Sequence, residues 1–291
     1  MERQWAGTTY GNGWMHKWLI RMLRYSDVRL WYAFVAVCVV PVCLLVNPAQ
    51  KIIYRYFRKR WHYSKVKAAW ATYRNFYLFA QVVIDKFAMY AGKHFNIEIE
   101  GNEHFLSLAS REEGFVQLSA HVGNYEIAGY SLAAGKKRFN ALVYGGEKAS
   151  VMENRDKMFA HTNINMIGIN ADMSHLYEIN SALANGEIVS MPGDRIFGSE
   201  KSIETDLLGA TAHLPAGPFS VATMRGLDCL AVNVMKSGAK RYHIYVTPLI
   251  YNKQAPRPEQ VRGLADSYAR ELERILTMYP EQWYNYFEFW N

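Results

Sequence analysis

Cysteine is scarce in this chain, with Cys38, Cys43 and Cys229 the only three among 291 residues. Two of them lie inside one apolar run and the third in an apparent strand, with no Cys-x-x-Cys or Cys/His spacing. Neither a disulfide framework nor a zinc site is indicated, and a reducing compartment fits. Acidic charge is almost missing from the first quarter: residues 1–67 hold 12 Lys and Arg against Glu2 and Asp27, a net of +10 in a chain that totals +7. The remainder therefore sums to −3, which excludes a body built to coat nucleic acid and points to a local anionic partner at the basic end. Internal repeats and low-complexity linkers are absent as well. Half of the residues are hydrophobic, enough for one core of roughly 200 to 250 residues plus an appendage.

What the basic end does contain is an uncharged run, Leu30 to Val46, of 17 residues interrupted by Pro41. That length is at the short limit for spanning a bilayer, so the run either spans or only dips in, with a buried core helix as the alternative to both. It begins late and no small-residue cleavage site follows it, so a cleaved signal peptide is disfavoured. Aromatic residues flank it (Trp14, Trp18, Trp31, Tyr32, Tyr54, Tyr56, Trp61) as an interfacial belt would, and the excess of Lys and Arg on its C-terminal side places the body in the cytoplasm. The organisation read from this is a membrane-anchoring region over 1–67, with its hydrophobic segment at 30–46, followed by a domain over 68–291.

Residues 64–92 predict a long helix with an aromatic stripe. Beyond Gly92, strands alternate with helices: strands at 95–100, 115–120, 139–144, 164–169 and 187–191, helices at 103–111, 124–134, 149–161 and 173–185. This order predicts an α/β domain with a mixed, largely parallel sheet flanked by helices. Then follow an extended piece at 205–208, a Gly/Pro-rich loop from Leu208 to Phe219, a helix at 218–225, two strands at 229–236 and 242–248, and a helix over 258–278 stopped by Tyr279-Pro280.

In an open α/β sheet, ligands collect beyond the carboxyl ends of strands, so polar residues that directly follow a strand are site candidates. His121 is one. Glu126, in the first turn of the next helix, is placed to accept the Nδ1–H of the imidazole while Nε2 takes a proton from an attacking group, and Asn124 starts that helix. As a bare spacing the pair is close to chance: nine histidines with acids at about 10% give roughly one such hit. Its position at a strand-to-helix junction is what raises it. Asp194 and Arg195 follow another strand, where Arg195 suits a phosphate or an oxyanion, the alternative being that the two pair with each other in a turn. Gly209 opens a loop whose backbone a ligand could approach closely. Lys136, Lys137 and Arg138 form a small basic cluster that could meet an acidic carrier protein or simply face solvent.

These blocks, in this order, resemble the bacterial lipid A late acyltransferase family, the lauroyl and myristoyl transferases, which is related to the glycerophospholipid acyltransferases. His121-Val-Gly-Asn-Tyr-Glu126 is similar to the family's His-x-Gly-Asn-Trp-Glu block, and Pro280-Glu-Gln-Trp283 looks like its closing signature. Asn154-Arg155 falls where the family has an Asn/Arg element, and Pro192-Gly-Asp-Arg195 followed by Leu208-Gly209 looks like a block that usually reads Asp-Gln and then Phe-Phe-Gly. The resemblance implies acyl transfer from acyl carrier protein to a membrane lipid at the cytoplasmic face of the bacterial inner membrane, with no metal or other cofactor and no nucleic acid partner. His121 would be the base, Glu126 its partner, and Arg155 and Asp194 parts of the wider site. Tyr125 and Arg195 depart from the pattern, and the ending Trp283 to Trp290 lacks the customary His-Arg-Arg-Trp. The acceptor is a lipid A precursor or related glycolipid, or else an aminolipid or polyene lipid; a thioesterase and a lipid-binding protein without turnover are the competing readings.

Overall fold

The computed structural model describes residues 12–132, 137–144, 153, 162–169, 174–196 and 201–290. Its centre is a seven-stranded sheet in the order β1-β9-β8-β2-β5-β3-β4, formed by β1 (Asn96–Glu100), β2 (Phe115–Ser119), β3 (Phe139–Tyr144), β4 (Ile164–Ile169), β5 (Ile188–Pro192), β8 (Cys229–Gly238) and β9 (Arg241–Leu249). Every neighbouring pair is parallel except β8 with β9. The mixed, largely parallel sheet expected from the alternation of strands and helices is what forms.

The central strands β2 and β8 are buried on both faces, which is why Phe-Val-Gln-Leu-Ser and Cys-Leu-Ala-Val-Asn-Val-Met read as continuous rather than alternating runs. Successive side chains still point to opposite faces. Val116, Leu118, Ala231 and Met235 join one core with α4 (Ala49–Lys59), α5 (Lys65–Tyr90), α9 (Ala216–Met224) and α10 (Arg257–Met278). Phe115, Leu230, Val232 and Val234 join a second core on the other face, with α6 (Asn102–Ala109) and α7 (Glu126–Ser131). Helix α8 (Ser174–Ala184) packs against β4 and β5.

One reading does not survive. The Gly/Pro-rich loop expected from Leu208 to Phe219 is a two-stranded antiparallel hairpin, β6 (Ser202–Leu207) and β7 (Ala210–Pro215), leading straight into α9. Leu208 and Gly209 form its two-residue turn with φ of 52° and 70°, the positive values that such turns need to match strand twist. The glycine therefore marked a turn, and the alternating Thr-Ala-His-Leu after it was strand. The helix expected over 149–161 lies outside the described residues, apart from Glu153.

At the N-terminal end, α1 (Gly13–Tyr25) precedes one continuous helix, Val28–Val46, made of α2 (Val28–Phe34), a π turn (Val35–Val39) and α3 (Val40–Val46). Pro41 has no N–H to give the preceding turn, and the wider π turn sits where that bond is lost. Among the described residues this helix alone is long and apolar enough to cross a membrane. Val28, Tyr32 and Val35 pack with Leu23 of α1 onto Ile84, Phe87 and Ala88 of α5. Leu30, Phe34, Val37, Leu45 and Val46 face outward, as do Trp14 and Trp18 of α1.

Candidate active site

Register builds the site. Strands β2 and β5 are parallel neighbours with Leu118 opposite Met191 and Ser119 opposite Pro192, and the Gly193 amide donates to the Ser119 carbonyl at 2.9 Å. Two residues past the paired ends, the same offset sets His121 beside Asp194. The imidazole Nδ1 is 2.7 Å from Asp194 Oδ1, and the His121 backbone amide donates to Oδ2 at 2.9 Å. Asp194 is buried, whereas His121 keeps 21% of its side chain exposed. Nδ1 is thus engaged by a carboxylate, which leaves Nε2 as the atom that can accept a proton.

Glu126, expected as the partner of His121, faces elsewhere. It is the first residue of α7, and its carboxylate pairs with Lys86 of α5 at 2.8 Å, with the Tyr90 hydroxyl 3.5 Å away. The turn between His121 and the helix carries the Glu126 side chain toward α5, while the neighbouring strand end supplies the nearer acid. Gly123 is part of that turn: its φ is +51°, and a Cβ there would stand 1.9 Å from the Val234 carbonyl oxygen. Asn124 is buried, its amide N–H donating to Val234 O at 2.8 Å and its side chain to the Tyr242 hydroxyl at 3.4 Å. Its described bonds tie the loop to β8 and β9.

Trp283 was not singled out as a site residue, yet its indole Nε1 donates to Asp194 Oδ2 at 3.2 Å. The segment that carries it is fastened residue by residue. Glu281 pairs with Arg74 at 2.7 Å. The Gln282 side chain bonds both the N–H and the carbonyl of Lys236, at 2.9 and 2.8 Å. Asn75 of α5 donates to the Glu281 and Trp283 carbonyls, each at 2.9 Å. Backbone bonds from Gly123 to Gln282 (2.8 Å) and from Tyr284 to His121 (3.0 Å) stitch the same segment to the histidine loop. A signal for this was present, because Trp-Tyr-Asn-Tyr-Phe is too apolar for a free tail, but its target could not be read.

Burial is the largest influence on both members of the pair. It lowers the His121 imidazole below its ordinary value, the Asp194 charge opposing and the Arg195 charge adding to the effect. Burial alone would raise the Asp194 carboxyl, but the facing imidazole and Arg195 outweigh it and hold the group well below the usual carboxylate range. The resting site is then a neutral imidazole donating from Nδ1 to a carboxylate. Arg195 donates to the Tyr284 carbonyl at 2.8 Å and lies against the Phe287 ring. Tyr125 is exposed, its ring edge-on to the imidazole at 5.8 Å. Gly209 is accounted for by its hairpin turn, and a Cβ added there would meet nothing within 4 Å. Arg155 and Lys136 lie outside the described residues. Among the described residues no three His, Cys, Asp or Glu side chains converge as a metal site requires.

No curated protein matches the chain. Among solved structures it is similar to the 1-acyl-sn-glycerophosphate acyltransferase PlsC from Thermotoga maritima, at 15% identity and a TM-score of 0.40, with 92% of this chain and 99% of that one covered. The bacterial lipid A biosynthesis acyltransferases match over residues 66–290, from the start of α5 to the C-terminal aromatic segment. That span holds His121, Asp194 and the Trp283 segment alike, and the chain belongs to the bacterial lipid A biosynthesis acyltransferase family.

Proposed function

We propose that the chain transfers a fatty acyl group from acyl carrier protein to a hydroxyl of a membrane lipid, with His121 as the base. The observation that carries this reading is the His121–Asp194 pair at the carboxyl ends of two adjacent parallel strands. Nε2 takes the proton of the acceptor hydroxyl as its oxygen attacks the thioester carbonyl. The tetrahedral intermediate collapses with cleavage of the carbon–sulfur bond, and the imidazolium returns the proton to the departing thiolate. Asp194 holds the tautomer and stabilises the imidazolium. Purified protein in detergent is expected to move labelled acyl groups from acyl carrier protein to a lipid A precursor, and His121→Ala to lower this by about 100-fold or more. Free fatty acid as the sole product would replace transfer with hydrolysis, and undiminished turnover in His121→Ala would remove the base.

The acid limb of the rate profile follows from the shifted imidazole. A base whose folded value is lowered stays neutral to lower pH, so kcat/KM is expected to hold constant downward past about 6.5, the value of free imidazole, and to fall only below it. The Asp194 charge persists throughout that range, so the limb belongs to His121. A half-maximal point above 7 would contradict this assignment.

We infer further that the protein sits on one leaflet rather than crossing it. Val28–Val46 is laid along α5 and bonded to it, the Tyr73 hydroxyl donating to the Ala36 carbonyl at 2.9 Å, while its outward apolar residues continue those of α1. Amphipathic helices of this kind bury one face at the headgroup boundary. Flotation with anionic vesicles is expected to recover the wild type, and Trp14→Glu/Trp18→Glu to reduce recovery by at least tenfold. Equal flotation of both proteins would overturn the in-plane reading.

A further inference from the structure

Trp283, whose indole N–H donates to Asp194, also lines a cavity of about 80 Å³ between α4 and the C-terminal segment. A cavity needs roughly 10–15 Å³ of such space to hold even one water, so this one has room for several waters or a phosphate group. Asn285 and Trp290 are part of its wall, as are Arg55 and Lys59 of α4 and Arg60 just after that helix.

The charges come from α4, because the segment Trp283 to Trp290 contains no cation and only Glu288 as an acid. Glu288 pairs with Arg55, and Arg60 lies over the Trp290 ring at 5.0 Å, so the opening keeps a net positive charge. Guanidinium and ammonium groups converging on a small aromatic-walled space suit an anion with several acceptor oxygens. The Asn285 side-chain oxygen is buried in that wall without a hydrogen-bond partner, an acceptor for a hydroxyl carried beside the anion. Depth selects the source of the anion. Helix α4 begins three residues after Val46, and Leu45 and Val46 are exposed apolar residues, so basic groups that directly follow such a helix lie at the level of lipid headgroups.

We propose that this groove binds the phosphate of a lipid headgroup and so seats the acceptor for transfer at His121, the two sites sharing Trp283. The identity of that lipid as the acceptor rests on the acyl-transfer reading; the binding does not.

The test is calorimetry of the full chain in detergent with dihexanoyl phosphatidate as probe. Wild type is expected to bind it, Lys59→Ala to weaken binding about tenfold, Arg55→Ala/Lys59→Ala by about 100-fold, and Glu288→Ala to tighten it. Lys59→Glu, a single exposed change, covers the case in which the double variant folds poorly. His121→Ala should bind as wild type does; charge-dependent binding by a wild type that transfers no acyl group would uphold the groove while removing the acyl-transfer reading. No binding by wild type, or equal binding by Lys59→Ala and Lys59→Glu, would overturn the proposal. Displacement of the probe by free phosphopantetheine would overturn it too, by giving the groove to the donor.

Discussion

Asp194→Asn is expected to lower kcat by about 10³-fold while KM changes less than about threefold, and Glu126→Gln to leave turnover within about tenfold of wild type. The reason is the tautomer. Asp194 accepts from Nδ1 and from the His121 amide; an amide in its place can offer its own N–H to Nδ1, which turns the Nε2 proton toward the acceptor and abolishes the base. It also removes the charge that stabilises the imidazolium. Glu126 instead holds Lys86 in a nearly buried pair, with 11% and 13% of the two side chains exposed. Its neutral variant should therefore register in stability, at about 1–3 kcal/mol. Steady-state rates of the two variants, measured beside their denaturation midpoints, decide the matter. Loss of turnover in Glu126→Gln with retention in Asp194→Asn would reinstate the pairing that the spacing of His121 and Glu126 suggested.

Lys236→Met should destabilise the fold by about 3–5 kcal/mol, and Asp85→Leu/Lys236→Met should recover most of that loss. Lys236 ends the buried run of β8 and pairs with Asp85 of α5, both almost inaccessible. The Tyr32 and Tyr242 hydroxyls donate to the same carboxylate. Removing the cation strands a charge inside the protein, whereas removing both leaves an apolar contact. The cluster joins α2, α5, β8 and β9, and Tyr242 in turn meets Asn124 in the histidine loop. The single variant is therefore expected to lose activity as well as stability. Urea titration at constant m-value measures the stability term; a double variant no more stable than the single one would show that the pair is not the source.

The same two sites show how far the sequence could be read. Phe115–Ser119 and Cys229–Met235 are apolar without alternation because helices cover both faces of the sheet, and that pattern is local, so their strands were legible. Helix α10 was legible from its periodicity and its Tyr-Pro stop. The hairpin Ser202–Pro215 was missed because Leu208-Gly209, a positive-φ turn, resembles any glycine loop until its flanks are seen to pair. Lys236 carried only a weak signal, as a charge closing the apolar run of β8, and Asp85 less, because Lys86 beside it offers an ordinary surface partner.

By itself the sequence determined the layered α/β architecture, the apolar basic end and the placing of His121 and Asp194 after strands. Each of these depends on residues close together in the chain. Which acid meets the imidazole was decided only in three dimensions. Glu126 is nearer in sequence and leads into a helix that turns it toward Lys86, whereas Asp194, 73 residues away, arrives through the register of β2 on β5. A register is a property of two strands together, set by what each must bury, and no single segment contains it.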